Sequence, residues 1–239
     1  MDISQKIALV TGASTGIGAA TARLLTKEGA KVALVARSTD KLGALSKELP
    51  GSFVVTADLS DEKEVRRAVR EVVSHYKGID ILVNNAGRGY SASIEKISLK
   101  NFRHLFELNL IAPLIAMQDV IPEMRKRGGG VIVNVSSNLS HMSLPNLGGY
   151  SSLKRALNGL GLTAGEELKS DHISVVTVYP SVTDTEFAKN ILREASDVRP
   201  YYQRDHLPKA DSAEYVAQKI VQGIKSGTPE VYVHDWMEK

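Results

Sequence analysis

The sequence predicts a single α/β domain: a doubly wound, mainly parallel sheet of about seven strands with helices on both faces. Three observations predict it. Short apolar runs alternate with amphipathic segments of helical period along the chain. The first such run, Lys6–Val10, leads through a glycine-rich turn directly into a helical pattern. The length, 239 residues, suits one domain with a sizeable core, and no repeat, low-complexity tract or internal linker divides it. Residues 1–239 are therefore read as one domain.

Taken in order, Lys6–Val10 reads as a buried strand. Thr11-Gly12-Ala13-Ser14-Thr15-Gly16-Ile17-Gly18 follows, and Ala19–Leu25 reads as a helix. Strand, glycine turn and helix together hold a pyrophosphate on a helix N-terminus. Gly12 permits the tight turn, Gly16 lets the backbone approach the phosphates, and Gly18 lets helix and strand pack closely. The spacing is Gly-x-x-x-Gly-x-Gly, not the commoner Gly-x-Gly-x-x-Gly, and a plain βα turn is the alternative. The next strands are Lys31–Ala36, Ser52–Thr56, Ile79–Asn84, Val131–Ser136 and Ile173–Tyr179, with Glu230–Val233 as a late addition. Glu62–Tyr76 and Leu99–Arg127 are helical, the former opened by Ser60-Asp61-Glu62 as a capped, dipole-matched start. From Ser181 to Ala210, proline, charge and aromatics mix without a stable period. That stretch follows the sixth strand, where sheet ligands sit, and is read as a substrate lid over about 181–210. Ala213–Lys225 is a last amphipathic helix.

Composition narrows the function. The net charge is +3 from 30 basic and 27 acidic side chains, with no basic cluster, which argues against nucleic acid as a partner. The chain has no cysteine, which excludes disulfides and thiolate metal sites, and its six histidines show no metal-ligand spacing. No apolar signal region opens the chain, and no apolar run approaches the ~20 residues that span a bilayer. The expectation is a cytoplasmic protein without a membrane or metal partner.

Tyr150-Ser151-Ser152-Leu153-Lys154 carries the chemistry. On a helix, residues four apart share one face, so phenol and ammonium reach one site. A free tyrosine has a pKa near ~10, and a neighbouring cation favours the phenolate. A lowering of about 3 units corresponds to roughly 4 kcal/mol and makes Tyr150 a usable general acid/base. The same spacing also occurs on ordinary exposed helix faces.

The glycine turn, Asn84-Asn85-Ala86-Gly87 and the Tyr-x-x-x-Lys run, in this order and at these separations, resemble the short-chain dehydrogenase/reductase family over nearly the whole chain. The resemblance implies a single-domain Rossmann fold that binds NAD(P). It also implies an oxidoreductase that interconverts a carbonyl and a secondary alcohol. It assigns Asn109, Ser137, Tyr150 and Lys154 as the catalytic set. Ser137 would donate to the substrate oxygen. Ser136 competes from sequence alone, and the spacing to Tyr150 selects Ser137. No Gly-x-Ser-x-Gly elbow supports a serine nucleophile. Lys154 would favour the phenolate and bind ribose hydroxyls. Pro113, four residues after Asn109, cannot donate to the Asn109 carbonyl, which is then available for a water that relays protons to Lys154; a simple helix kink is the alternative.

The resemblance also places the cofactor on Gly12, Ser14, Thr15, Gly16, Ile17 and Gly18, on Asp58 and Leu59, on Asn85, Ala86 and Gly87, on Tyr150 and Lys154, and on Pro180, Thr183 and Thr185. Asp58 would contact the adenine amino group, or it is a turn carboxylate. The second strand ends in Arg37 and Ser38, where NAD-binding folds carry an acid. Guanidinium pairs well with phosphate, so NADP(H) is expected over NAD(H); a solvated strand-end arginine is the alternative. Pro180-Ser181-Val182-Thr183-Asp184-Thr185 departs from the family's Pro-Gly-x-Val-x-Thr at Ser181 and Thr183.

Arg88, Tyr90, Asn138, His141, Met142, Leu144 and Phe187 are candidate pocket positions; they mix polar and apolar groups and assign no substrate. A homodimer or homotetramer is expected by resemblance, through helices near Leu105–Met124 and Tyr150–Leu168, with Ile111, Leu114, Ile115 and Met117 either at that interface or in the core. Two other readings stand beside the enzyme: a catalytically silent NADP-binding regulator, and a 3-oxoacyl-[acyl-carrier-protein] reductase. The ending, helix then Glu230–Val233, resembles branches acting on diverse carbonyls more than the latter. An epimerase or dehydratase would need a further substrate domain, for which the chain has no room.

Overall fold

A computed structural model describes residues 1–194 and 209–238. The apolar runs become strands because each is covered on both faces. β1 (Ile7–Thr11) is buried at every position, and its side chains divide by parity: Ala8 and Val10 enter one core, Ile7 and Leu9 the other. β2 (Lys31–Ala36) divides in the same way, with Val32 and Leu34 opposite Ala33 and Val35. The first core is closed by α1 (Gly16–Lys27), α2 (Thr39–Glu48) and, much later, α7 (Ala213–Ser226). After β3 (Phe53–Thr56), α3 (Glu62–Tyr76) closes the second core through Val65, Val69 and Val72. Asp61 caps α3 by accepting from the Lys63 N–H, and Lys77 ends it in the left-handed conformation.

β4 (Ile81–Asn84) pairs with β1 on the side opposite β2. A short β5 (Tyr90–Ser91) precedes α4 (Leu99–Phe106) and α5 (Ala112–Lys126); then come β6 (Gly130–Val135), α6 (Gly148–Glu167) and β7 (Ile173–Tyr179). β8 (Leu192–Arg193) pairs with β5 as a separate ribbon, and β9 (Glu230–Tyr232) follows α7. The main sheet is parallel throughout, in the order β3-β2-β1-β4-β6-β7-β9. The chain winds outward in both directions from β1 and β4, so a crevice opens at their C-terminal ends, where ligands of such sheets bind.

Two expectations are corrected. The helix expected over Leu99–Arg127 is interrupted at Glu107–Ile111 by a turn of π-helix, in which the Ala112 N–H donates to the Glu107 carbonyl five residues back. Pro113, without an N–H, sits where the regular ladder needs a donor, and the chain widens there. The stretch Leu99–Lys126 is also long and apolar enough, by length and composition, to cross a membrane; half of its most apolar window is buried inside the protein. Ile115 and Met117 are buried in the second core, and Ile111 and Leu114 are half-buried and pack against it. The lid expected over 181–210 is described only to residue 194 and from 209. Its described part holds a short turn at Ala188–Asn190, β8, and a bridge from Thr183 to Asp211; residues 195–208 lie outside the described residues.

A buried ion pair staples the N-terminal ends of the central strands. The Asp80 carboxylate, 2% exposed, accepts from the Ile7 N–H at 2.8 Å and from Arg127 Nε and Nη2 at 2.8 and 2.9 Å. A two-pronged guanidinium contact of this kind fixes geometry as well as charge. Asp80→Ala leaves the Ile7 N–H and Arg127 without their acceptor. It is expected to lower the unfolding free energy by about 2–4 kcal/mol, read in urea melts at pH 7. A loss below about 0.5 kcal/mol contradicts this role for Asp80.

Candidate active site

The crevice is a cavity of about 680 Å³ over the C-terminal ends of β1, β2, β4 and β6. Its floor is the glycine turn after β1. Gly12 has φ +64°, and a Cβ there would lie 2.9 Å from both Ala86 Cα and Asn85 Nδ2. The Asn85 side chain donates to the carbonyls of Thr11 and Gly12, while the Thr11 hydroxyl accepts from the Asn85 and Ala86 N–H groups. The ends of β1 and β4 are thus sewn into one rim. α1 starts above it at Gly16 with Thr15 as N-cap, no side-chain cap and no acid in its first turn. Ser14, Thr15, Gly16 and Ile17 line the cavity there, so the positive end of the helix faces open space.

α6 supplies the Tyr150–Lys154 pair. Tyr150 and Lys154 lie on one face of its first two turns, and both line the cavity. Lys154 Nζ is 6.0 Å from the centre of the Tyr150 ring and donates to the Val135 carbonyl at 2.9 Å. Burial of the ammonium pushes Lys154 down to about 8. The Tyr150 ring packs against Phe187 at 6.0 Å. Gly87 passes between the groups at this end: a Cβ on it would lie 2.7 Å from Asn109 Oδ1 and 3.7 Å from Lys154 Nζ.

Ser137 stands at the end of β6 and lines the cavity. Its oxygen accepts from the Leu139 N–H at 3.2 Å, and its proton has no acceptor among the described residues. The competitor Ser136 is buried and donates to Asn158 Oδ1, one turn beyond Lys154 on α6. Asn158 donates in turn to the Ser140 hydroxyl, which donates to the Ser137 carbonyl at 2.7 Å. One helix therefore holds the Tyr150–Lys154 pair and steadies the turn that carries Ser137. The fully buried Asn109 uses its side chain to grip Arg88: Oδ1 accepts from the Arg88 N–H, and Nδ2 donates to the carbonyls of Arg88 and Leu105.

At the other end, Arg37 and Ser38 line the cavity at the end of β2, and Arg37 is exposed, makes no hydrogen bond or salt bridge among the described residues, and acts electrostatically on Asp58. Lys41, also in the wall, pairs with Glu186 at 2.6 Å and holds that carboxyl below its usual range. Pro180, Thr183 and Thr185 form the upper edge, with Thr185 against Gly16.

Most of the sequence-named residues thus meet around one space: Gly12, Ser14 to Ile17, Arg37, Ser38, Leu59, Asn85 to Gly87, Ser137, Tyr150, Lys154, Pro180, Thr183 and Thr185. Gly18, Asp58 and Asn109 stand behind it. Gly18 serves packing, since a Cβ would lie 2.3 Å from the Gly12 oxygen. Asp58 accepts from the Ser60 N–H and hydroxyl in a tight turn. Burial opposes ionisation of Asp58, but those hydrogen bonds and the Arg37 and His104 charges outweigh it and lower its pKa. Of the pocket candidates, Arg88 and Phe187 line the cavity, while Tyr90, Asn138, His141, Met142 and Leu144 do not. His141 packs on Tyr179 and Tyr232 instead. Sequence reasoning missed Lys41, Glu186 and Asn158. Only Lys41 had a signal, as a second cation four residues after Arg37.

The buried Lys154 makes stability depend on pH with a definite sign. Unfolded, its proton is held up to the ordinary lysine value of 10.5; folded, it is released at about 8. Between those values the unfolded chain binds more protons, so the lysine's contribution to unfolding free energy rises with pH there, and below pH 8 the burial penalty is present in full. The melting temperature of the ligand-free wild type is expected to gain on that of Lys154→Met as pH is raised from about 7 to about 9.5. A pH-independent difference contradicts the burial of a charged Lys154.

The family model for short chain dehydrogenases matches residues 6–196. An uncharacterized oxidoreductase of Thermotoga maritima is 37% identical over 208 residues, which span 84% of this chain and 80% of that one. Carbonyl reductase (NADPH) 2 of Sus scrofa is 35% identical over 222 residues, 92% of this chain and 89% of its own. The crystal structure of 3-ketoacyl-(acyl-carrier-protein) reductase from Brucella melitensis, complexed with NADH, superposes with a TM-score of 0.87 at 26% identity, covering 97% of this chain and 98% of that one.

Proposed function

The chain belongs to the short-chain dehydrogenase family, an oxidoreductase family, and on that premise we propose that it interconverts a carbonyl and a secondary alcohol with NADP(H). The observation that carries the proposal is the convergence of Tyr150, Lys154 and Ser137 on a cavity whose far end holds a helix N-terminus without a side-chain cap and Arg37, which has no salt bridge among the described residues. The residues present fit a phosphorylated dinucleotide. The glycine turn leaves room for close approach, the first N–H groups of α1 suit a pyrophosphate, and Arg37 with Lys41 suits a 2′-phosphate. The similarity to an NADPH carbonyl reductase supports that cofactor, while the relative complexed with NADH makes the choice one for measurement.

Bound nicotinamide supplies or accepts the hydride. The remaining work belongs to the chain. Ser137 donates its proton, unclaimed among the described residues, to the substrate oxygen and fixes its position. Tyr150 gives its proton to the developing alkoxide, and the nearby Lys154 ammonium stabilises the phenolate that remains. Protons return through Lys154 by way of the Asn109 backbone and a water bound there, a route supported by the missing Pro113 N–H and by the closeness of Asn109 and Lys154 around Gly87. We assign self-association, as a homodimer or homotetramer, to the helices over Leu105–Met124 and Tyr150–Leu168, where Phe106 and Leu162 are exposed and apolar.

The test is loss of reduced-cofactor absorbance with a panel of aldehydes, ketones and oxo acids, run with NADPH and with NADH. Oxidation of NADPH that depends on a carbonyl, at least about tenfold more efficient than with NADH, is expected from the added charge pairing. A silent regulator binds NADPH and oxidises none.

A further inference from the structure

Among the described residues, the cavity wall carries a second arginine without a salt bridge. Arg88 follows Gly87, and its main chain is gripped on both sides by the Asn109 amide. Its Nε donates to the Asn190 carbonyl on the opposite wall at 2.7 Å, which fixes the guanidinium plane. Five other arginines, Arg23, Arg66, Arg67, Arg125 and Arg127, are paired with carboxylates; Arg88 is paired with none among the described residues. The single acid in the described lining, Glu186, is taken by Lys41. Of the five donors a guanidinium carries, Arg88 uses one among the described residues.

Its place is the reacting end. Gly87 before it approaches Lys154, and Gly89 after it lies against Phe187, where a Cβ would be 3.2 Å from that ring; Phe187 in turn packs on Tyr150. The anions of the dinucleotide have positions of their own, at the start of α1 and at Arg37. Resting on the carbonyl reductase reading, we infer that Arg88 is the anchor for a carboxylate on the substrate, so that the enzyme acts on oxo acids and the corresponding hydroxy acids rather than on neutral carbonyls. A planar fork already held by one hydrogen bond presents parallel N–H groups to a carboxylate, and Phe187 supplies an apolar wall beside it.

The test compares kcat/KM for 2-oxobutanoate and 3-oxobutanoate with that for their methyl esters, using wild type, Arg88→Met and Arg88→Lys. Binding of butanoate, which has no reducible carbonyl, to the NADP-loaded protein is measured by calorimetry. The wild type is expected to favour at least one acid over its ester by about tenfold or more. Arg88→Met is expected to lower the acid-to-ester ratio by about 100-fold and to weaken butanoate at least tenfold. Arg88→Lys, which keeps the charge but loses the fork, is expected to fall between; it reads the same ratio should the methionine variant not fold. Preference for the esters in the wild type, or an equal loss for acid and ester in the variants, overturns the anchor while leaving the reductase reading intact. Arg88-dependent butanoate binding with no reduction of acid or ester overturns the reductase reading and keeps the anion site. Absence of both overturns both.

Discussion

Tyr150→Phe is expected to bind NADPH within about threefold of the wild type and to turn over its carbonyl substrates about 10³-fold more slowly. In the proposed mechanism the phenol oxygen exchanges a proton with the substrate, and nothing else in the described lining takes its place. Ser137 has a proton to donate but no base to receive one from it, and Lys154 is turned toward the Val135 carbonyl. Phenylalanine keeps the ring that packs with Leu105, Leu139, Leu147 and Leu153 and that meets Phe187, so the wall and the binding space survive. Binding is read by NADPH fluorescence and turnover by absorbance. Activity above about a tenth of wild type contradicts a proton-transfer role for Tyr150.

The second large effect is expected at Arg37. Arg37→Asp replaces a cation with an anion where the 2′-phosphate is assigned, so it removes an attraction and adds a repulsion. A hydrogen bond to a charged group contributes about 1.5–3 kcal/mol, and repulsion of similar size doubles the change. The ratio of kcat/KM for NADPH to that for NADH is expected to fall by at least about 100-fold, mainly through KM. Lys41 remains in the wall but stays paired with Glu186, so it compensates only in part. Equal use of the two cofactors by the wild type, or an unchanged ratio in the variant, contradicts the assignment of Arg37.

Much of the scaffold was legible because local patterns and the fold demand the same thing. The runs that became β2 and β7, and the helix Glu62–Tyr76, have the bounds read from the sequence. A two-sided apolar strand and a helix opened by Asp61 have few other solutions. The first strand shifted to Ile7–Thr11 because Asp80 claims the Ile7 N–H and Thr11 still pairs with Val35. The Tyr150–Lys154 pair was legible because its four-residue spacing is a property of one helix. What was hidden depends on residues far apart in the chain. The sequence left Ser136 and Ser137 as rivals; the hydrogen bond from Ser136 to Asn158, 22 residues away, removes the first from the site. The Lys41–Glu186 pair spans 145 positions and has no local signature. β5 and β8, two residues each, are too short to show a period, yet they carry the wall that brings Asn190 to Arg88. The π turn at Glu107–Ile111 was half visible, since Pro113 announced a lost donor but not whether the helix would kink or widen.

The central claim is that hydride passes between a nicotinamide and a carbonyl carbon beside Tyr150. The most direct measurement supplies NADPH carrying deuterium on the transferable C4 position, together with the carbonyl compound the enzyme reduces fastest. The alcohol formed is then analysed by mass spectrometry and NMR. One deuterium on the carbinol carbon is the predicted result; alcohol without the label there, or no alcohol from any carbonyl in the panel, contradicts the account.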